Sequence, residues 1–193
     1  MDKRRDVARD LARIYQTLPT ESLDRLSEIL VPMKFAKGEQ ILKEGEVCRY
    51  MYYVYRGFVR QYYFKNGKDL TEHFSYEGKM VICIESFFKQ EPTRLLVEAQ
   101  ENTWIYGLPY LALEELSKED YNIAVFYRKI LEVSLIDSQI KADLQRFESA
   151  QDRYRRLIAN QPEIFRRAAL NQIASFLQMT PETLSRVRAQ IIE

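Results

Sequence analysis

Cysteine occurs only twice in these 193 residues, at Cys48 and Cys83, and histidine only once, at His73. Neither cysteine sits in a C-x-x-C or other clustered pattern, so a zinc or iron–sulfur centre has no ligand set to draw on. Both are expected to be small, partly buried thiols in a reducing compartment, with a redox switch as the weaker alternative. A single histidine cannot build a multi-histidine metal site, and no nucleophile–base pattern accompanies it. The expectation is therefore no cofactor and no enzyme, a cupin-type metalloenzyme included. Apolar runs of membrane-spanning length are absent as well. The N-terminal stretch MDKRRDVARDLARIYQ is a charged amphipathic helix without the apolar core of a signal peptide. A cytoplasmic protein with no membrane partner follows as an expectation.

Net charge is also nearly absent, at +1, but its distribution is uneven. Residues 152–193 hold seven arginines (Arg153, Arg155, Arg156, Arg166, Arg167, Arg186 and Arg188) against four acids, an excess of three. The body of the chain is correspondingly slightly acidic. A basic C-terminal end on a near-neutral body suits contact with phosphates. With 46% hydrophobic and 30% charged residues, the chain can bury a core in one large domain or two small ones, and disorder is excluded.

Glycine is confined to the middle: all six lie between positions 38 and 107, separated by short runs rich in Tyr, Phe, Val and Ile. That rhythm predicts many short strands with glycine turns, a β-sandwich or jelly roll. Strands are expected at Glu39–Leu42, Tyr50–Tyr55, Phe58–Phe64, Asp69–Ser75, Met80–Ile84, Arg94–Gln100 and Thr103–Gly107. Asn66-Gly67 makes the turn of a hairpin between the third and fourth. Two helices precede the strands, one over residues 2–18 and one starting at Thr20 and ending before Pro32.

Helix returns after Pro109, first as a short segment with Leu111, Leu113 and Leu116, then as a long helix over residues 120–151 without glycine or proline. In that helix Phe126, Ile130, Val133, Asp137, Ile140, Leu144 and Phe147 recur at spacings of four and three, a heptad seam of roughly three repeats. A helix this long outruns a small sandwich, so the seam is expected to pair with a second copy of the chain. Asp137, in a core position, would then fix register or mark the approach of an effector.

Residues 152–167 predict a helix interrupted at Pro162. The last stretch, ALNQIASFLQMTPETLSRVRAQII, predicts two short helices joined by a tight turn. Ile173, Leu177, Met179, Leu184 and Val187 form its apolar seam, and Ala174 admits a close crossing. Thr180 can cap the second helix, with Pro181 at its first position. The outer face carries Glu182, Thr183, Ser185, Arg186 and Gln190. As a solvated face it would hold a Glu182–Arg186 pair. As a recognition helix it would let Arg186 fork to guanine and Glu182 accept from cytosine in the major groove.

Taken in order, small helices, glycine-punctuated jelly roll, long dimer-type helix and terminal helix-turn-helix resemble the Crp/Fnr family of bacterial transcription regulators along essentially the whole chain. The stretches KGEQILKEGE, YYVYRGFVRQYY and IASFLQMTPETLSRVR carry the match, and TPETLSRVR is similar to the Bacteroidetes branch. The resemblance implies an α+β fold of three parts: an effector jelly roll over 1–119, a dimerisation helix over 120–151 and a DNA-binding part over 152–193. It implies double-stranded DNA and a second copy as partners, RNA polymerase as a further one, and an unidentified small-molecule effector. Glu182 and Arg186 fall on its base-reading positions, Thr180 and Thr183 on its phosphate-contacting ones; Arg166, Arg167 and Arg188 are phosphate candidates by charge.

Departures narrow the expectation. Where the family's cyclic-AMP receptors hold ribose and phosphate with Gly-Glu and Arg-Ser pairs, this chain has Ile82-Cys83 and Thr93-Arg94. Those four residues are the effector-pocket candidates, and the loss of the carboxylate argues against a cyclic nucleotide. Gln178 replaces the usual turn glycine, and Pro181 replaces the receptors' first base-reading arginine. The chain ends seven residues past Arg186, so the β-hairpin wing is expected to be absent or cut off. The alternative function is a ligand-binding sensor that acts through protein contacts.

Overall fold

Among the residues described by the computed structural model, 3–192 with side chains through Gln190, the aromatic and β-branched runs form eight strands. These are β1 (Val31–Phe35), β2 (Gln40–Leu42), β3 (Tyr50–Arg56), β4 (Phe58–Lys65), β5 (Lys68–Tyr76), β6 (Met80–Val81), β7 (Leu96–Ala99) and β8 (Thr103–Pro109). They build two antiparallel four-stranded sheets, ordered β1-β8-β3-β6 and β2-β7-β4-β5. Met51, Val54, Val59, Val97, Ile105 and Leu108 are buried in the core of this jelly roll. The β4–β5 hairpin turns at Asn66 (φ 53°) and Gly67 (φ 71°), the two positive φ values that a two-residue turn of this twist requires.

Helix α2 (Thr20–Ile29) ends before Pro32 as expected, and Pro32 itself falls inside β1. It is tolerated there because β1 is an edge strand, where a missing N–H leaves no ladder bond unmade. The expected strand Met80–Ile84 stops at Val81, and Ile84 instead opens helix α3 (Ile84–Lys89), supported by an exposed Lys89–Glu85 pair at 2.8 Å. A short apolar run satisfies either period, which is why the sequence pattern did not separate them.

In chain order the flanking helices are α1 (Arg4–Tyr15), α2 (Thr20–Ile29), then α3, then α4 (Tyr110–Glu119) and α5 (Tyr121–Phe147). Asp120 caps α5, its carboxylate accepting from the N–H groups of Asn122 (2.9 Å) and Ile123 (3.3 Å). The helix ends at Phe147, four residues short of the expected Gln151. Glu148 is extended, and the Ser149 hydroxyl accepts from Asp152 N–H to start α6 (Ala150–Asn160). Pro162 then opens α7 (Pro162–Arg167), followed by α8 (Leu170–Phe176) and α9 (Pro181–Ile192). None of the helices described is long and apolar enough to cross a membrane.

The α5 seam divides at its middle. Phe126 and Ile130 are fully buried with Ile123 and Tyr127, and Phe126 meets Tyr15 of α1 edge-on at 6.2 Å. Each such burial contributes about 2–3 kcal/mol to the protomer, so these two are not free for a second copy. Beyond them Val133 (40% exposed), Ile136 (56%), Ile140 (50%) and Phe147 (81%) lie open. Asp137 is exposed and Leu144 half-buried. Ile136, missing from the expected seam, belongs with Ile140 and Phe147 at spacings of four and seven, whereas Asp137 lies on its flank.

A second buried cluster joins the C-terminal helices to the jelly roll. Phe58 and Phe74 of β4 and β5 pack with Tyr154, Leu157, Ile164, Ile173, Ala174, Leu177, Leu184 and Val187. Phe58 and Phe74 stack at 5.3 Å with planes 9° apart, and Phe176 of α8 meets Phe74 edge-on at 5.5 Å.

Candidate nucleic-acid interface

Helices α8 and α9 form the expected helix-turn-helix. Ile173, Ala174 and Leu177 pack against Leu184 and Val187, with Met179 partly buried beside them. Gln178 takes φ 54° in the turn, the conformation for which glycine is the unstrained choice. Its side chain is exposed, so Gln178→Gly removes strain and little else; a gain of about 0.5–1 kcal/mol is expected, read as a higher urea midpoint at unchanged slope.

Helix α9 begins as the sequence predicts. Thr180 Oγ1 accepts from Thr183 N–H at 3.2 Å and lies 3.2 Å from Thr183 Oγ1, and Pro181 fills the first helical position. The hydroxyl of Thr180 also holds the Glu182 carboxyl below the usual range, with Arg186 adding to the effect. Glu182 and Arg186 are nonetheless not ion-paired, since Arg186 Nη2 reaches Thr183 Oγ1 at 3.5 Å instead. Glu182, Ser185, Arg186 and Arg188 are exposed and Thr183 is half-buried. Gln190 accepts from Gln151 Nε2 of α6 at 2.7 Å, which fixes it at the far end of the face.

The arginines divide by role. Arg166 is 71% exposed and reaches only its neighbour Glu163. Arg167 is 16% exposed and occupied: Nη1 and Nη2 donate to Glu77 (2.8 and 3.2 Å), Nε and Nη2 to Glu101 (3.2 and 2.7 Å). Its guanidinium also sits 5.1 Å from the Phe58 ring centre. Arg167 is thus removed from the phosphate candidates, because every edge of its fork is engaged by the jelly roll. Burial opposes ionisation of Glu77, but the Arg167 fork and the Gly57 N–H, 2.8 Å away, outweigh it and lower its pKa to about 2. The sequence pattern gave no signal for this: Glu77 and Glu101 are distant in the chain and look like turn acids.

Three further contacts hold the helix-turn-helix on the sheet. Ser175 Oγ accepts from Thr71 N–H (2.9 Å) and donates to Asp69 O (3.3 Å), and Gln172 Nε2 donates to Gln100 Oε1 (3.1 Å). From α5, Lys141 Nζ donates to Glu72 Oε1 (2.8 Å) and to its backbone oxygen (2.6 Å). A cleft of about 650 Å³ remains between these elements, with Lys68 and Glu72 on one wall and Thr180 on the other.

The effector-pocket candidates do not converge on a common open space. Cys83 and Thr93 are buried, Ile82 half-buried and Arg94 exposed over the Tyr63 ring at 5.3 Å. Thr93 is tied by its backbone to Gly45 and Glu46, and Gln61 Nε2 donates to Cys83 Sγ (3.1 Å) and Ile82 O (3.3 Å). The two cysteines, expected to be partly buried, are fully buried. The neighbouring Cys48 thiol and burial push the Cys83 thiol up. Among the described residues no group of three or more His, Cys, Asp or Glu side chains could hold a metal ion.

Residues 32–120, β1 through α4, match the cyclic nucleotide-binding domain family. The match covers somewhat under half of the chain, and the fold of the chain as a whole is similar to that of solved Crp/Fnr regulators. It is similar to the FixK2 structure from Bradyrhizobium japonicum, with 23% identity, 84% of each chain covered and a TM-score of 0.68. A transcriptional regulator of the Crp/Fnr family from Eubacterium rectale aligns at 18% identity over 88% of this chain and 82% of its own, with a TM-score of 0.66. In sequence it is similar to electron transport regulator A of Shewanella oneidensis, 23% identical over 184 residues, 89% of this chain and 73% of the relative. The Bacteroidetes branch rests on TPETLSRVR alone.

Proposed function

We propose that this protein is a cytoplasmic transcription regulator of the Crp/Fnr type that binds double-stranded DNA as a homodimer. The observation that carries the reading is a capped second helix whose Glu182, Ser185 and Arg186 are exposed and unpaired by any ion, on a helix-turn-helix anchored to a regulator-type fold. Arg186 and Glu182 read base edges; Thr180, Thr183, Arg166 and Arg188 meet phosphates. Two copies paired through the exposed half of α5 would present α9 helices one turn of DNA apart, about 34 Å, to a near-palindromic site. Residues 1–119 form the effector part, 120–151 the dimer part with the α5–α6 break inside it, and 152–193 the reading part. The chemistry at Cys83 and Thr93 disfavours a cyclic phosphate: no carboxylate is there for the ribose, and both side chains are occupied. A different small-molecule effector and RNA polymerase are the remaining partners of this reading.

Selection of bound duplexes from a random pool tests it, and should return a two-fold symmetric site. Binding to that site should weaken steeply as salt rises. Arg186→Ala should cost about 1–3 kcal/mol on the preferred duplex and relax preference at one base pair in each half-site. Retained preference would remove Arg186 from the reading role.

A further inference from the structure

We infer that Arg167 is a positioning residue whose clamp on Glu77 and Glu101 sets the half-site spacing this regulator accepts. The inference rests on the DNA-binding dimer proposed above, but its observation is separate. The chain joins α5, the helix offered to the second copy, to the reading helices only through Glu148 and Ser149, both extended. A two-residue break of this kind is a hinge unless side contacts close it.

Arg167 closes it from the far side. It ends α7, three residues before α8 begins, and forks to two separate turns of the jelly roll: Glu77 between β5 and β6, Glu101 between β7 and β8. Glu77 is itself held by the Gly57 N–H, so the anchor belongs to the sheet rather than to a loose loop. Two bidentate acceptors on one planar fork fix rotation as well as distance, which a single ammonium contact cannot do. The hinge end has its own brace, Arg153 donating to Glu148 O (2.8 Å) and Leu177 O (3.0 Å). The reading unit is therefore held at the hinge by Arg153, along its middle by the core shared with Phe58 and Phe74 and the Ser175 contacts, and at the far end by Arg167, whose fork is the contact that fixes rotation.

In a two-fold dimer any tilt of one reading unit is repeated in the other, so displacement between the two α9 helices is doubled. Base pairs are spaced about 3.4 Å along the duplex, so a shift of under about 2 Å per protomer moves the pair by one base pair. Loss of the clamp should leave the bases read by α9 unchanged and broaden the spacings tolerated.

The test uses the full chain and duplexes carrying the selected half-sites at spacings altered one base pair at a time. Arg167→Gln should reduce the preference for the best spacing over its neighbours from about tenfold or more to about threefold or less, while substitutions within a half-site keep their cost. The double variant Glu77→Gln, Glu101→Gln retains Arg167, should act alike, and serves if Arg167→Gln does not fold. Spin labels at the exposed positions Glu44→Cys and Asn160→Cys, in chains diluted with excess unlabelled protein so that only the distance within one protomer is read, give a readout without DNA, since Cys48 and Cys83 are buried. One narrow distance in the parent should broaden in both clamp variants. Unchanged spacing preference, or a distance that stays narrow, overturns the clamp. A parent that binds no duplex while the distance still broadens overturns the DNA reading, and the spacing role with it, but leaves the clamp as a joint between the two parts.

Discussion

Ile140→Glu is expected to sediment as a monomer where the parent sediments as a dimer, and to bind a selected duplex about 100-fold more weakly. The open stripe Val133, Ile136, Ile140 and Phe147 extends over 15 residues of α5, about 22 Å of helix. Four large apolar side chains aligned on one exposed face form a patch of the kind that a partner covers. In a symmetric pair, residue 140 of each copy lies close to its counterpart or to the flanking turn, so glutamate places two like charges in the seam. The protomer tolerates the change, because Ile140 is half exposed and its loss leaves no cavity; stability should move by no more than about 0.5 kcal/mol. Phe126→Ala is the contrast. It empties a fully buried site and should destabilise each protomer by about 3–5 kcal/mol. Analytical ultracentrifugation beside urea unfolding separates the two, and a dimer that survives Ile140→Glu would place the contact elsewhere.

The difference between Ile140 and Phe126 marks where the sequence could be read and where it could not. Both occupy the same heptad pattern, and periodicity reports only that a face is apolar, not what covers it. Helix α1 covers the first half, a contact between residues more than a hundred positions apart. The rise of Ile136 over Asp137 has the same origin, since a straight α-helix drifts from a seven-residue repeat and the stripe rotates with it. Local chemistry was legible: Asn66-Gly67 as a turn, Thr180-Pro181 as a helix start, the positive φ at Gln178. The break at Ser149 was legible in principle, because Ser149 and Asp152 make a cap, but a helix without Gly or Pro masked it. What joins the parts was not. Arg167 reads as one more basic residue beside a DNA-binding motif, and only the fold brings Glu77 and Glu101 to its fork. The thiol pair is similar: antiparallel pairing of β3 with β6 carries Cys48 toward Cys83 from 35 residues away.

Phe74→Ala should be the most disruptive single change at the joint between sheet and reading helices, costing about 3–5 kcal/mol. Phe74 is 7% exposed and lies between Phe58, stacked against it at 5.3 Å, and Phe176 of α8 at 5.5 Å. Truncating it removes both ring contacts and leaves a void on the jelly-roll side that Phe58, already fixed under the Arg167 guanidinium, cannot move to fill. Phe176→Ala removes the same edge-on contact from the other side, but Phe176 is only partly buried, so its cost should be smaller, about 1–2 kcal/mol. The pair also distinguishes two couplings. If the helix-turn-helix unfolds together with the sheet, both variants lower a single urea midpoint at unchanged slope. If the joint is weaker than either part, Phe176→Ala splits the transition, with the C-terminal helices melting first. The shared cluster of Phe58 and Phe74 with Ile173, Leu177 and Leu184 favours a single transition, because one contiguous core has no cheap plane along which to divide.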